Sequence, residues 1–225
     1  MKSPDLSESC REAFITNTRD KGIPVTDSQV DLLLRFHEIL TTSNQRFNLV
    51  SRSGRASILD QILDSLLAQS LVSRIHPQVV LDVGSGGGFP GIPLAILNPH
   101  IQFHLLEASH KRASHLVNAS RLLSLQNVRT LHDRAENLSG AAPARKYDLI
   151  VARSVANLRD LVQWSRPLLK TKGILATYAG NQEARRLEGL LRSWPCPMRP
   201  LLIRSLDIGI RPEKPHRLLL IGSFG

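Results

Sequence analysis

The sequence predicts an α/β protein built on a doubly wound, mostly parallel sheet, with an antiparallel final strand and a helical extension in front. Three observations carry this reading. From residue 78 onward, short apolar runs alternate with amphipathic stretches, the pattern of strands and crossover helices. A glycine-rich turn follows the first of those runs directly. Residues 1–76, by contrast, show no strand pattern at all. The expected division is a helical extension over 1–76 and the α/β domain over 77–225.

In the amino-terminal stretch, Thr26 or Asp27 can cap a helix that gathers Leu32, Leu33, Phe36, Ile39 and Leu40 on one face. The polar run Thr41–Gln45 predicts a break, followed by a loop through Arg46-Phe47-Asn48-Leu49-Val50-Ser51. Ser57 opens a second amphipathic helix, with Ile58, Leu59, Ile62, Leu63 and Leu66 on its stripe and His76-Pro77 at its end. Strand one is Val79–Val83, and Ile92–Leu97 continues as a helix stopped by Asn98-Pro99. Ile101–Leu106 is strand two, Ser109–Ser124 a helix, and Val128–His132 strand three. Tyr147–Ala152 gives strand four, Leu158–Leu169 a helix, Gly173–Tyr178 strand five and Glu183–Trp194 a helix. Leu201–Leu206 and Leu218–Gly222 have no helical stretch between them and are expected as antiparallel neighbours.

Composition narrows the function. With 42% apolar residues in 225 there is ample material for a core. No apolar run reaches the ~18–20 residues of a membrane helix, and the first eight residues carry acids and no apolar segment, so the expectation is a soluble cytoplasmic protein. Cys10 and Cys196 stand in no metal-ligand spacing, and the eight His form no paired motif, so neither a disulfide framework nor a metal site is expected. The net charge of +10 is uneven: residues 1–76 hold nine basic and nine acidic side chains, 77–160 nine and six, and 161–225 eleven and four. Arginine outnumbers lysine 22 to seven, and its fork suits phosphate, so the basic carboxy-terminal third points to nucleic acid as strongly as to a solvated surface.

The chemistry begins at Asp82-Val83-Gly84-Ser85-Gly86-Gly87-Gly88-Phe89-Pro90-Gly91. Glycines between a strand and a helix let a ligand lie against bare main chain, and cofactors bind at that place in open α/β sheets. Glu107, 23 positions beyond Gly84 and at the end of strand two, can accept both hydroxyls of an adenosine ribose. A dinucleotide turn prefers glycine where Phe89 stands. A bulky side chain there suits an adenosyl or thioether body better than a pyrophosphate, favouring S-adenosylmethionine over NAD. Asp133-Arg134-Ala135-Glu136 follows strand three, where a polar side chain and a backbone amide can clamp an adenine edge. Arg153 follows strand four, where the transferred group should meet its acceptor. No Asn-Pro-Pro-Tyr-like motif follows strand four, and no Cys follows strands four or five, so amine methylation of that kind and thiolate attack on a pyrimidine are unsupported.

Asp82–Leu94, together with Phe47–Ser51, Ile62-Leu63-Asp64-Ser65, Lys111-Arg112, Arg134-Ala135-Glu136 and Ala152-Arg153-Ser154, resembles the bacterial ribosomal RNA small-subunit methyltransferase G family, also called glucose-inhibited division protein B. The resemblance runs from about residue 30 to residue 182. It implies the Rossmann-like methyltransferase fold, S-adenosylmethionine as cofactor, and methylation of N7 of one guanine in the helix 18 loop of 16S rRNA. Matched by position, Gly84, Phe89, Ala135, Glu136 and Arg153 would contact the cofactor, and Glu107 takes the place of an acidic residue at the ribose. Gly86 joins them as the second glycine of the turn. N7 carries no proton, so no catalytic acid–base pair is expected. The implied partner is 16S rRNA or the 30S subunit, approached by a monomer. Gln61 stands where the family commonly has His before Ile-Leu-Asp-Ser, and Ala179-Gly180 stands where Lys-Gly is usual. A nicotinamide oxidoreductase, which Phe89 argues against, and a non-catalytic RNA-binding or ribosome-assembly protein are the alternative readings.

Overall fold

The computed structural model describes residues 8–47, 49, 57–140, 146–153, 158–180, 189, 206–208 and 216–222. Four helices come first: α1 (Glu8–Asp20), α2 (Asp27–Phe47), α3 (Ile58–Leu66) and α4 (Gln69–Ile75). Thr26, rather than Asp27, caps α2. Its Oγ1 accepts the Gln29 N–H at 3.3 Å while Gln29 Oε1 accepts the Thr26 N–H at 2.9 Å. The break expected at Thr41–Gln45 is absent, and α2 runs on to Phe47. Val30, Leu33, Phe36 and Leu40 already anchor its buried face, and extending an existing helix by a polar turn costs little.

Ser57 caps α3 as expected, in a capping box with Asp60. The single helix expected to reach His76 is instead two, parted at Leu67-Ala68. The apolar side chains on either side of that turn have different destinations. Ile62, Leu66 and Leu67 pack with α2 and one flank of the α/β unit, whereas Ala68, Leu71 and Val72 pack against Val80, Leu94 and Phe103. One straight helix presents a single stripe and cannot serve both clusters. His76, at φ 51°, closes α4 in the left-handed region.

The α/β part follows as β1 (Val79–Val83), α5 (Gly91–Leu97), β2 (Gln102–Glu107), α6 (His110–Leu122), β3 (Val128–His132), α7 (Ala135–Gly140), β4 (Tyr147–Arg153), α8 (Leu158–Ser165), β5 (Leu169–Gly180), β6 (Leu206–Ile208) and β7 (His216–Gly222). The seven strands line up in the order β3-β2-β1-β4-β5-β7-β6. The pairs β1–β2, β2–β3, β1–β4 and β4–β5 are parallel; β5–β7 and β6–β7 are antiparallel. Chain order reverses between β1 and β4, which is where open α/β sheets bind ligands. β5 is longer than the expected Gly173–Tyr178, running from Leu169 to Gly180, and β7 begins at His216 rather than Leu218. The helix expected over 158–169 stops at Ser165, because Leu168 O accepts the Lys146 and Tyr147 N–H groups and Leu169 already pairs with Tyr147. The short helix α7 was not anticipated; Asp133 Oδ1 holds its start by accepting the Arg134 N–H and Asn137 Nδ2. The helix expected over 183–194, Gly189 apart, and residues 201–205 of the expected strand lie outside the described residues.

Phe14, Leu33, Phe36, Leu40, Ile62 and Leu66 of the amino-terminal helices share one hydrophobic cluster with Ile92, Ile96, Leu105 and Leu116. At the opposite edge from the glycine turn, Asp148 ties three elements together. Its carboxylate accepts the Gln78 and Val79 N–H groups and pairs with Lys170 Nζ at 2.9 Å. Burial alone would raise the Asp148 pKa, but Lys170 and the two amides outweigh it and hold the group below its ordinary value. Its contribution to stability is therefore present above the unfolded carboxylate pKa and is lost as pH falls through the folded one. Asp148→Ala is expected to cost about 1–3 kcal/mol in urea unfolding at pH 7, with less difference from wild type in acid.

Candidate functional site

The site grows from the carboxyl end of β1. Gly84 and Ser85 donate their N–H groups to Leu106 O at 2.8 and 3.1 Å, which draws the turn against the end of β2. Ser85 O then accepts the Gly88 and Phe89 N–H groups, so the chain folds back into α5. This path puts Gly84, Gly86 and Gly88 at φ 71°, 56° and 107°, values that residues with a side chain adopt rarely and at a cost in strain. At Gly86 a Cβ would meet only Gly84 O, at 3.8 Å, and otherwise point into open space, a cradle of bare backbone. The Phe89–Pro90 peptide is cis.

Glu107, at the end of β2, is 6% exposed, and both its oxygens are held. Oε2 accepts the Gly86 N–H at 2.9 Å and Oε1 the Ser109 N–H at 2.8 Å. The carboxylate is thereby fixed at the edge of the glycine cradle, with lone pairs left over for donors on a ligand. Asp82, fully buried inside β1, accepts the Gly91 N–H on Oδ2 at 2.9 Å, while Oδ1 has no hydrogen-bond partner among the described residues. Burial pushes its pKa up to about 7; Ser85, Gly91 and Arg153 oppose that rise, and Glu107 adds to it. The folded chain thus binds this proton more tightly than the unfolded one. The group's contribution to stability is largest below its unfolded pKa, declines as pH rises through the interval up to about 7, and is level above that. Asp82→Asn is expected to flatten that decline, read as the urea midpoint at pH 5 against pH 8.

Arg153 ends β4 beside β1. Its guanidinium lies 4.6 Å from the centroid of the Phe89 ring. Nη2 donates to Gln61 Oε1 at 2.9 Å and Nη1 to Gln61 O at 3.4 Å. Burial works against its charge and lowers its pKa, with Tyr178, Asp64 and Asp82 acting the other way. Tyr178, the register partner of Arg153 on β5, donates its hydroxyl to Ser65 O at 2.8 Å. Two side chains from adjacent strands thus clamp α3 over the sheet edge. His115 on α6 also meets the turn, hydrogen-bonded with the Gly87 backbone; burial lowers its pKa, and that hydrogen bond acts the other way.

Gly84, Gly86, Phe89, Glu107 and Arg153 therefore lie along the carboxyl edge of β2, β1 and β4, as the sequence placed them. Phe89 is 3% exposed, packed edge-on against Phe36 and under Arg153, so its ring supports the cation rather than standing open. Ala135 is buried in the cluster that holds Val83 and Leu106, while Glu136 is exposed at the start of α7. Sequence reasoning missed Asp82 as a buried acid, Gln61 as the partner of Arg153, and Tyr178. An aspartate at the fourth position of an apolar strand is the one signal that could have drawn attention to the first. A separate cavity of about 450 Å³ between α4 and the amino edge, lined in part by Gln69, His76, Asn98 and His100, contains none of these residues. Of the carboxy-terminal basic residues expected at phosphates, Arg185, Arg186, Arg192, Arg199, Arg204, Arg211 and Lys214 lie outside the described residues.

The cradle, the fixed acceptor at Glu107, and a cation two strands away suit a ligand with a diol at one end and an anion at the other. Comparison with known proteins bears on the family. The family model described as rRNA small subunit methyltransferase G matches residues 29–201. The chain is similar to proteins named ribosomal RNA small subunit methyltransferase G in Chlorobium luteolum (35% identity, 84% of this chain, 78% of that one) and Chlorobaculum tepidum (39% identity, 72% and 74%). Among solved structures it resembles in fold a Klebsiella pneumoniae protein assigned as an O-methyltransferase, with TM-score 0.63, 15% identity and coverage of 96% and 97%.

Proposed function

Since the chain belongs to the rRNA small subunit methyltransferase G family and is an S-adenosylmethionine-dependent rRNA methyltransferase, we propose that it methylates N7 of a guanine in the helix 18 loop of 16S rRNA. Membership sets aside both the nicotinamide oxidoreductase and the non-catalytic assembly protein. The observation that carries the assignment of the site is the glycine cradle with Glu107 fixed beside it by the Gly86 and Ser109 amides.

The residues present fit the cofactor. Gly84 and Gly86 leave bare main chain for it, and Glu107 presents acceptor lone pairs to the ribose hydroxyls. Ala135 and Glu136 border the adenine end, while Phe89 supports Arg153 at the end where a charged group would lie. Bound S-adenosylmethionine supplies an electrophilic methyl carbon on a sulfonium. The acceptor, guanine N7, offers a lone pair and no proton, so no side chain has to act as a base. What the chain contributes is position: holding N7 in line behind the methyl carbon supplies up to about 7–11 kcal/mol in favourable systems.

The substrate surface is the rim beyond Arg153, where the sequence is most basic, and the protein acts as a monomer on 16S rRNA, free or in the 30S subunit, in the cytoplasm. No described helix is long and apolar enough to cross a membrane. Residues 1–76 act as a helical extension of the methyltransferase unit over 77–225. The test is transfer of tritiated methyl to 30S particles and to naked 16S rRNA, with the labelled base mapped by borohydride and aniline cleavage. Label at a single cleavable guanine is expected in one of the two substrates. Absence of label from both, or label at an uncleavable position, would overturn the N7 assignment.

A further inference from the structure

We infer that Gln61 is a positioning residue: from α3 it holds the Arg153 guanidinium over Phe89 without neutralising it, keeping the full charge available to an anionic group of the bound ligand. This rests on the reading above that Arg153 belongs to the site where cofactor and rRNA meet. Both acceptors that Gln61 offers, its side-chain Oε1 at 2.9 Å and its main-chain O at 3.4 Å, are neutral amide oxygens. Among the described residues Arg153 forms no ion pair; the carboxylates of Asp64 and Asp82 act on it only through space. Two bonds to one residue and an aromatic ring beneath remove most of the rotamer freedom of a long side chain, which leaves the remaining N–H donors aimed.

The edge of the sheet says what those donors meet. Glu107 on β2, the glycine cradle after β1, and Arg153 on β4 stand on three successive strands. A ligand with its ribose at Glu107 that crosses the cradle brings its far end to Arg153. For an aminoacyl sulfonium nucleoside that end carries a carboxylate. An rRNA phosphate has the same chemistry for a guanidinium, so the two sources have to be told apart by measurement.

Gln61→Glu decides the matter because it separates bracing from charge. A carboxylate keeps the length and the acceptor geometry, so a merely structural brace is held at least as firmly. If the unneutralised charge is what matters, the same change cripples the site. Glutamate and alanine both suit a half-exposed helix position, so both variants should fold. Wild type, Arg153→Ala, Gln61→Ala and Gln61→Glu are compared as full chains by calorimetric titration with S-adenosylhomocysteine, by KM for 16S rRNA, and by thermal unfolding. Gln61→Glu is expected to weaken S-adenosylhomocysteine by roughly tenfold or more, approaching Arg153→Ala, with an unfolding midpoint equal to or above wild type. Gln61→Ala should fall between them. The same ranking in KM for rRNA, with S-adenosylhomocysteine binding unchanged, would uphold the role of Gln61 and assign the anion to phosphate. If Arg153→Ala is impaired while both Gln61 variants match wild type in both measurements, the inference is wrong. If Arg153→Ala also matches a wild type that methylates, the place of Arg153 in the site fails as well, though the methyltransferase stands. A wild type that neither binds nor methylates removes the proposed function and this inference together.

Discussion

Glu107→Ala weakens S-adenosylhomocysteine binding about 100-fold, the expected result of deleting two hydrogen bonds between a carboxylate and ribose hydroxyls at about 1.5 kcal/mol each. The variant also strips partners from the Gly86 and Ser109 N–H groups, so a fall in stability of about 1–3 kcal/mol should accompany the loss of binding. Titration calorimetry and urea unfolding on the same sample separate the two effects. Glu107→Gln sharpens the comparison. Its amide nitrogen must turn toward one of those two backbone donors, so it restores the shape and leaves one N–H opposed by another. A loss of binding in Glu107→Gln close to that of Glu107→Ala, with a smaller loss of stability, would tie the effect to the carboxylate. Wild-type affinity in both variants would place the ribose elsewhere.

Gly91→Ala is expected to be the most damaging single methyl in the turn. Its Cβ would stand 2.3 Å from Leu105 Cδ2 and 2.7 Å from Asp82 Oδ2, and neither neighbour has room to retreat, since both are fully buried. Overpacking of this kind costs about 1–3 kcal/mol or more, and here it also strains the hydrogen bond that Asp82 Oδ2 accepts from the Gly91 N–H. Gly86→Ala is the useful contrast. Its added methyl meets open space, so its cost is confined to the positive φ, about 1 kcal/mol or somewhat more, and its main effect should be on ligand affinity. If unfolding curves showed Gly86→Ala destabilised more than Gly91→Ala, the packing described around α5 would be wrong.

The parts of this molecule that a reader of the sequence can see are those set by short-range pattern. Val79–Val83 running into glycines, the Ser57 capping box, and an acid at the end of β2 each declare themselves within a few residues. Boundaries set by the competition of two partners do not. Thr41–Gln45 is polar enough for a loop and stays helical because α2 is already anchored upstream. The turn at Leu67-Ala68 exists only because two different clusters claim the flanking leucines. The same holds within the site. Glu107 and the glycines are legible because each is defined by its own strand end. The grip of Gln61 on Arg153 spans 92 positions and joins a helix to a strand, so no local signal announces it. Gln61 could be marked as a departure from the family pattern; what it touches needed three dimensions.

The hydrophobic cluster that runs from Phe14 through Phe36 and Ile62 to Ile92, Ile96 and Leu105 has a consequence for how the chain unfolds. Helices that supply one wall of a common interior cannot melt ahead of the other wall without wetting both. Loss of the first 76 residues would bare Ile96, Leu97 and Leu123, all nearly inaccessible in the intact chain, on a fragment that retains every strand of the sheet. Such a fragment should be sticky and prone to self-association. The intact protein should lose its helical front and its sheet in one cooperative transition.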